Sequence, residues 1–287
     1  MKSHTFAVAG ILLIVAVPTL WSQKASRTCE VTYVANEGFL LETARHKVLV
    51  DALFGGVKGN WCDQPSDSIA HLMLSGKAPF DAIDVVLVTH AHVDHFNAAM
   101  TVKFLTNNSK SLLICPNQAN EALKGNADYG KVSARVRFLK GAIPFDTTLT
   151  VGDMTIRAVR LNHGVYMETD SVTGKPYNRH SGVENFGYFV DMDGFTLSHV
   201  GDDSPTDKDL YRLYQLGKRE IDAAFFNRTF MRAEGQQLMD EEINAKNFIL
   251  MHIEQESLEY FKSVVAHAPK MVVFTAPMQR KVFPYSK

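Results

Sequence analysis

The chain has 287 residues, 46% of them hydrophobic and 21% charged, with 30 Lys and Arg set against 31 Asp and Glu for a net charge of −1. That is ordinary globular composition, and the length suits one large domain with ample core. The balanced charge argues against nucleic acid as a partner, because such binders carry a basic excess or stripe.

Lys2 precedes an apolar run from Phe6 to Leu20, after which the chain turns polar at Ser22-Gln23-Lys24. The run is shorter than the roughly 20 residues of a membrane-spanning helix and contains Pro18. Residues 1–22 therefore read as a secretory signal peptide, with a retained N-terminal anchor as the alternative. The expected location is outside the cytoplasm of a bacterium, periplasmic or secreted, with no stable membrane insertion if the signal is removed. No Cys follows the run directly, which speaks against a lipoprotein anchor. The folded domain is expected over 28–287. Its three cysteines, Cys29, Cys62 and Cys115, allow one disulfide at most, and they read as buried or incidental thiols.

Strands are expected at Glu30–Val34 and Phe39–Thr43, flanking an Asn36-Glu37-Gly38 turn, and at Lys47–Asp51. Residues 52–65 are Gly-rich and irregular, a loop long enough to be functional. A helix capped by Ser66 or Asp67 runs to Leu74. Ile83–Thr89 is a near-continuous apolar run, as in a strand covered on both faces. A helix over Asn97–Leu105, a strand at Leu112–Cys115 and a helix beginning at Pro116 follow. Further strands are expected at Arg135–Leu139, Met154–Leu161, Gly187–Asp191, Phe195–His199, Ala223–Phe226, Phe248–Leu250 and Met271–Thr275, with an Asp193-Gly194 hairpin. Helical patterns fall at 207–217, 237–245 and 255–266. The arrangement predicts a layered α/β architecture with helices outside.

The sharpest feature is Thr89-His90-Ala91-His92-Val93-Asp94-His95, directly after an apolar strand. Alternate positions of an extended chain project to one side, so His90 and His92 can grip one cation. Asp94 and His95 come where the chain must turn, and can address a second. Imidazole nitrogen and carboxylate oxygen are both ligand types that zinc accepts.

His-x-His-x-Asp-His after a hydrophobic strand resembles the signature of the metallo-β-lactamase superfamily. Further landmarks match in order: Asp51 in KVLVDALFGG, His163 in VRLNHG, Asp202 in SHVGD, and His252 in FILMHI. The resemblance implies a four-layer αββα fold, two mixed sheets sandwiched between outer helices. It implies one metal on His90, His92 and His163, another on Asp94, His95 and His252, and Asp202 bridging them together with a water or hydroxide. Asp94 and Asp202 are thereby the carboxylates nearest the chemistry. Two zinc ions are the expected cofactor, with iron or manganese as alternatives. Asp51 is expected to orient a histidine rather than bind metal. Asp202 is preferred to its neighbour Asp203, and His199 is expected to support the site from behind or to point away from it. His180 and Tyr166, with Tyr177, are candidate substrate contacts, whereas His46, His71 and His267 read as exposed or packing residues.

Within the resemblance, zinc β-lactamases generally lack the bridging aspartate that Gly201-Asp202 supplies, and the redox branch carries Glu where His92 stands. The segments Glu184–Phe189 and Ser198–Asp202 are similar to the branch of sugar-lactone hydrolases and lipid phosphodiesterases. The expected function is hydrolysis of a small ester, lactone or phosphodiester. A β-lactam hydrolase, and a non-catalytic metal-binding protein of the same fold, are the alternatives.

Overall fold

In the computed structural model the described residues are 27–59 and 61–286; the apolar run at 6–20, and its reading as a signal or anchor, lie outside them. Phe39 and Leu41 of one strand join one hydrophobic core while Leu40 between them joins another. Val48 and Val50 against Leu49, and Val85 and Leu87 against Val86, divide in the same way. Side chains alternate across a strand, so strands apolar at every position belong to a sheet covered on both faces.

Six strands come first: β1 (Arg27–Ala35), β2 (Gly38–Glu42), β3 (Lys47–Val50), β4 (Val85–Leu87), β5 (Leu112–Pro116) and β6 (Val136–Leu139). Then follow β7 (Asp146–Val151), β8 (Met154–Leu161), a small hairpin of β9 (Met167–Thr169) and β10 (Pro176–Asn178), β11 (Asn185–Met192), β12 (Phe195–His199), β13 (Ala223–Asn227), β14 (Phe248–Met251), β15 (Met271–Val273) and β16 (Arg280–Tyr285). One sheet has the order β16-β1-β2-β3-β4-β5-β6 and the other β15-β14-β13-β12-β11-β8-β7. Both are mixed: β3 to β6 and β12 to β15 run parallel, and the remaining pairs antiparallel.

The two sheets enclose a core that includes Phe39, Val50, Phe186, Tyr188, Phe225 and Ile249. Against the outer face of the first lie α1 (Asp67–Leu74), α2 (Ala98–Asn107) and α3 (Asn117–Lys124), through Ile69, Met73, Val102, Leu105 and Leu123. Against the second lie α4 (Lys208–Tyr214) and α5 (Ala233–Glu242), through Tyr211, Tyr214, Leu238 and Met239; α6 (Leu258–Val265) precedes β15. This is the four-layer αββα sandwich. Ser66 caps α1 by accepting the Ile69 N–H, and Asn97 caps α2 by accepting that of Met100.

Several boundaries differ from expectation. The helix expected at 237–245 begins earlier, as α5, because Gly235 disguises its first turn. A Cβ there would lie 2.3 Å from the Phe230 Cα, so only glycine lets the helix approach. The apolar run at 83–89 supplies only a three-residue strand, β4, before the chain leaves the sheet. Pro116 ends β5 and stands at the N-cap position of α3, without a capping hydrogen bond, rather than entering its first turn. The unexpected strands β7 and β16 are both sheet edges. Edges tolerate polar residues and Pro284 because one side of the strand needs no partner. All three cysteines are buried and unpaired, and no described helix is long and apolar enough to cross a membrane.

Candidate metal centre

The ends of β3, β4, β8, β12 and β14 meet the β1–β2 turn at one rim of the sandwich. In open α/β sheets the carboxyl ends of parallel strands are where backbone loops leave a crevice for ligands. Ligand atoms of His90, His92, His163 and Asp202 lie within 4.8 Å of one another, as do those of Glu37, His95, Asp202 and His252. Asp202 belongs to both groups. Its Oδ2 lies 3.7 Å from His90 Nε2, 3.7 Å from His95 Nε2 and 3.2 Å from His163 Nε2, and its Oδ1 lies 3.5 Å from His252 Nε2. Asp94 Oδ2 is 3.4 Å from both His95 Nε2 and His252 Nε2.

Three of these histidines are oriented from behind. His95 Nδ1 bonds Asp51 Oδ2 at 3.0 Å, His90 Nδ1 bonds Thr89 Oγ1 at 3.1 Å, and His163 Nδ1 bonds the Gly164 carbonyl at 3.0 Å. Each acceptor draws the ring proton to Nδ1 and leaves Nε2 with a free lone pair. All three Nε2 atoms are buried without a hydrogen-bond partner. Buried polar atoms are ordinarily satisfied, and three orphaned imidazole nitrogens converging on shared carboxylates are what a divalent cation completes. The side chains present therefore fit a pair of metal ions.

The backbone is bent to make this convergence. Gly201 has φ +59°, and a Cβ there would lie 2.6 Å from both Asn185 Oδ1 and Thr89 Oγ1, so the residue before Asp202 must be glycine. Asp51 at φ +43° and His252 at φ +55° occupy the same left-handed region without that freedom. Such conformations cluster where function over-determines the backbone. Asn36 donates through Nδ2 to Asp94 Oδ2 at 3.2 Å and to the Asp94 carbonyl at 3.3 Å, fixing that carboxylate.

Electrostatics follow the same plan. Burial, reinforced by the neighbouring His95, holds the His90 imidazole far below its usual pKa; burial with His163 beside it lowers His92 to about 4. Burial alone would raise Asp94 and Asp202, but the adjacent histidines outweigh it and keep both carboxyls well below the usual range. His95 and His252 are raised despite their burial, His95 by Asp94 and Glu37 and His252 by Asp202 and Asp94.

The structure places the remaining expected residues as follows. Asp51 sits behind His95 and Thr89, fully buried. Asp203 points away from the cluster: its Oδ2 accepts the Tyr211 hydroxyl at 2.6 Å and its Oδ1 the Ser204 N–H at 2.8 Å. His199 lies behind the cluster, where Gly201 N–H donates to its Nδ1 and its Nε2–H donates to the Glu37 carbonyl. His180 is brought to the mouth, its ring 4.2 Å from that of His163 and 4.9 Å from that of His92, with Tyr166 stacked beside it. Tyr177 instead bonds Glu168 across the β9–β10 hairpin. His46 bonds Asp84 and Asp153 away from this rim, and His71 and His267 are exposed.

Sequence reasoning missed Glu37, Thr89 and Trp61. Glu37 reads as a turn residue, and turn acids are ordinarily solvated. Trp61, in the loop after β3, has its ring 5.5 Å from that of His252. A surface cavity of about 1170 Å³ lies elsewhere, beside Glu42, Arg45, Lys47 and Arg280. Its charges are already matched, Lys47 with Asp81 and Glu42 and Arg280 with Glu30, and it contains none of the converging histidines.

A family model for a beta-lactamase superfamily domain matches residues 46–272. A UPF0173 metal-dependent hydrolase of Polaromonas sp. is 28% identical over 197 residues, 67% of this chain and 66% of its own length. A second, from Polynucleobacter asymbioticus, is 25% identical over 218 residues, 70% of this chain and 68% of its own. The chain thus spans about two thirds of the length of the curated relatives it matches. A metallo hydrolase from the archaeon Ignicoccus hospitalis superposes with a TM-score of 0.58 at 16% identity, over 90% of this chain and 100% of that one, a likeness of fold.

Proposed function

Because the chain belongs to the metallo-β-lactamase superfamily, we propose that it is a metal-dependent hydrolase with two zinc ions, acting on a small ester, lactone or phosphodiester. One observation carries this reading: buried, unpartnered Nε2 atoms of His90, His95 and His163 converge on the carboxylate of Asp202. His90, His92 and His163 would hold one ion, Asp94, His95 and His252 the other, with Asp202 shared. Two such ions, when bound, supply Lewis acidity and a hydroxide near neutral pH.

The protein's own groups do the rest. Asp51 and Thr89 hold the His95 and His90 rings in the tautomer that faces the site. Asn36 keeps Asp94 from swinging out. His180, its Nδ1 tied to the Gly164 carbonyl at 3.2 Å, has Nε2 available to orient a substrate oxygen, and the Tyr166 ring packs alongside. These two are the proposed substrate contacts. Export is part of the same reading and rests on the apolar run at 6–20; N-terminal sequencing of protein recovered outside the cytoplasm tests it.

Metal analysis coupled to a panel of esters, lactones and phosphodiesters tests the function. Two cations per chain and turnover that vanishes on chelation are expected. Fewer than one cation per chain with no turnover on any substrate class overturns the reading.

A further inference from the structure

Glu37 occupies the turn between β1 and β2, yet its side chain is fully buried. The turn is wedged inward rather than turned to water. The Glu37 carbonyl accepts the His199 Nε2–H at 2.9 Å from behind. The next residue, Gly38, is pressed so closely on the end of β3 that a Cβ would fall 2.9 Å from Ala52 Cα and 3.0 Å from the Asp51 carbonyl. With its backbone held on both sides, the Glu37 side chain has one direction left, beneath the histidine cluster.

Both Glu37 carboxylate oxygens are buried with no hydrogen-bond partner. One lies 3.7 Å from His95 Nδ1, a nitrogen already committed to Asp51. A carboxylate removed from water and given no donor is strongly unfavourable unless a countercharge meets it. The available countercharge is where the second cation belongs, since a Glu37 oxygen falls within 4.8 Å of ligand atoms of His95, Asp202 and His252 together.

We propose that Glu37 is a metal-ligating carboxylate of the second site, which makes that site richer in oxygen donors than the His90–His92–His163 site. The inference rests on the dinuclear reading above. It separates the two sites chemically, because carboxylate oxygen favours harder cations than imidazole does.

The test is Glu37→Gln, which keeps shape and removes charge, measured by zinc titration calorimetry, metal content and thermal unfolding. The first site should retain wild-type affinity while the second weakens at least about tenfold. Metal-stripped E37Q should melt close to metal-stripped wild type, since Gln keeps the shape of the buried side chain, and zinc should raise its Tm by less. A merely structural Glu37 would instead lower the Tm with and without zinc. If E37Q folds poorly, anomalous scattering from zinc-loaded crystals of the unmutated chain should place a Glu37 oxygen about 2.0–2.2 Å from the second ion. Two cations held with unchanged affinity in E37Q, or a Glu37 oxygen remote from the second ion, overturn this proposal alone. Wild-type protein that takes up no metal overturns it together with the reading on which it rests.

Discussion

Thr89 gives both of its donors to Asp51, its backbone N–H to Oδ1 at 2.8 Å and its hydroxyl to Oδ2 at 2.6 Å. The same Oδ2 accepts from His95 Nδ1, and the Thr89 hydroxyl oxygen accepts from His90 Nδ1. One carboxylate at the end of β3 thus orients one histidine of each proposed metal site.

Asp51→Asn keeps the shape but puts an amide where His95 and Thr89 require acceptors. Metal affinity should fall about 10–100-fold, as for lost supports behind metal-bound histidines, with the secondary structure retained. Calorimetric zinc titration beside far-UV circular dichroism reads both. An unchanged affinity would remove Asp51 from the orienting role.

Asp202 and Asp203 are adjacent in sequence and face opposite ways, Asp202 toward the histidines and Asp203 toward Tyr211. Asp202→Ala should lose the shared carboxylate and with it the metal pair and turnover, while the fold persists. Asp203→Ala should leave metal content intact but strand the buried Tyr211 hydroxyl, at a cost of about 1–3 kcal/mol in stability. Metal analysis and urea unfolding on the two variants separate the roles; matching losses of metal would show that the bridging acid is misassigned.

Gly201→Ala introduces a methyl group into a left-handed backbone where Thr89 and Asn185 leave no room. Strain of about 1–3 kcal/mol is expected, which for a chain of this size lowers the Tm by roughly 2–4 °C per kcal/mol. Differential scanning calorimetry of the metal-free protein gives the number, and an unaltered Tm would mean that the turn relaxes without penalty.

Chelation should destabilise as well as inactivate. A ligand that binds only the native state at about a thousandfold over its Kd contributes roughly 4 kcal/mol. Stripping the metal should therefore lower the Tm by many degrees, and zinc should restore it. Activity that survives exhaustive chelation would count against the metal-based mechanism.

Far from the cluster, Asp193 provides a stability signal in acid. Burial alone would raise its carboxyl, but hydrogen bonds from the Thr43 hydroxyl and from Arg45 outweigh this and lower its pKa. A carboxyl depressed in the folded state contributes stability that is fully present above its unfolded pKa of about 3.9 and is lost as pH falls through the folded value. Thermal melts from pH 6 to pH 3 should show a shallower acid decline in Asp193→Asn than in wild type. Parallel declines would dismiss the contribution.

Much of the architecture is legible in the chain. Ile83–Thr89 announces a strand covered on both faces, and Ser66 marks a helix start through a bond to the residue three further on. His90, His92, Asp94 and His95 are neighbours by connectivity, so no long-range assembly is needed to see them as one group. What escaped depends on distant partners. Gly235 hides a helix start because the reason for it is Phe230's backbone, and β16 reads weakly because its support is β1 at the other end of the chain.

By itself the sequence determined which side chains have ligand chemistry and which of them share a loop, because covalent spacing and the two-residue strand period set those relations. Tertiary structure alone decided that His180 reaches the mouth and that Glu37 is buried under the cluster instead of hydrated in a turn. Those outcomes depend on the environment that the register of two sheets builds around each group. Whether a carboxylate lies in water or among imidazoles is a property of its surroundings, and no local stretch of chain encodes it.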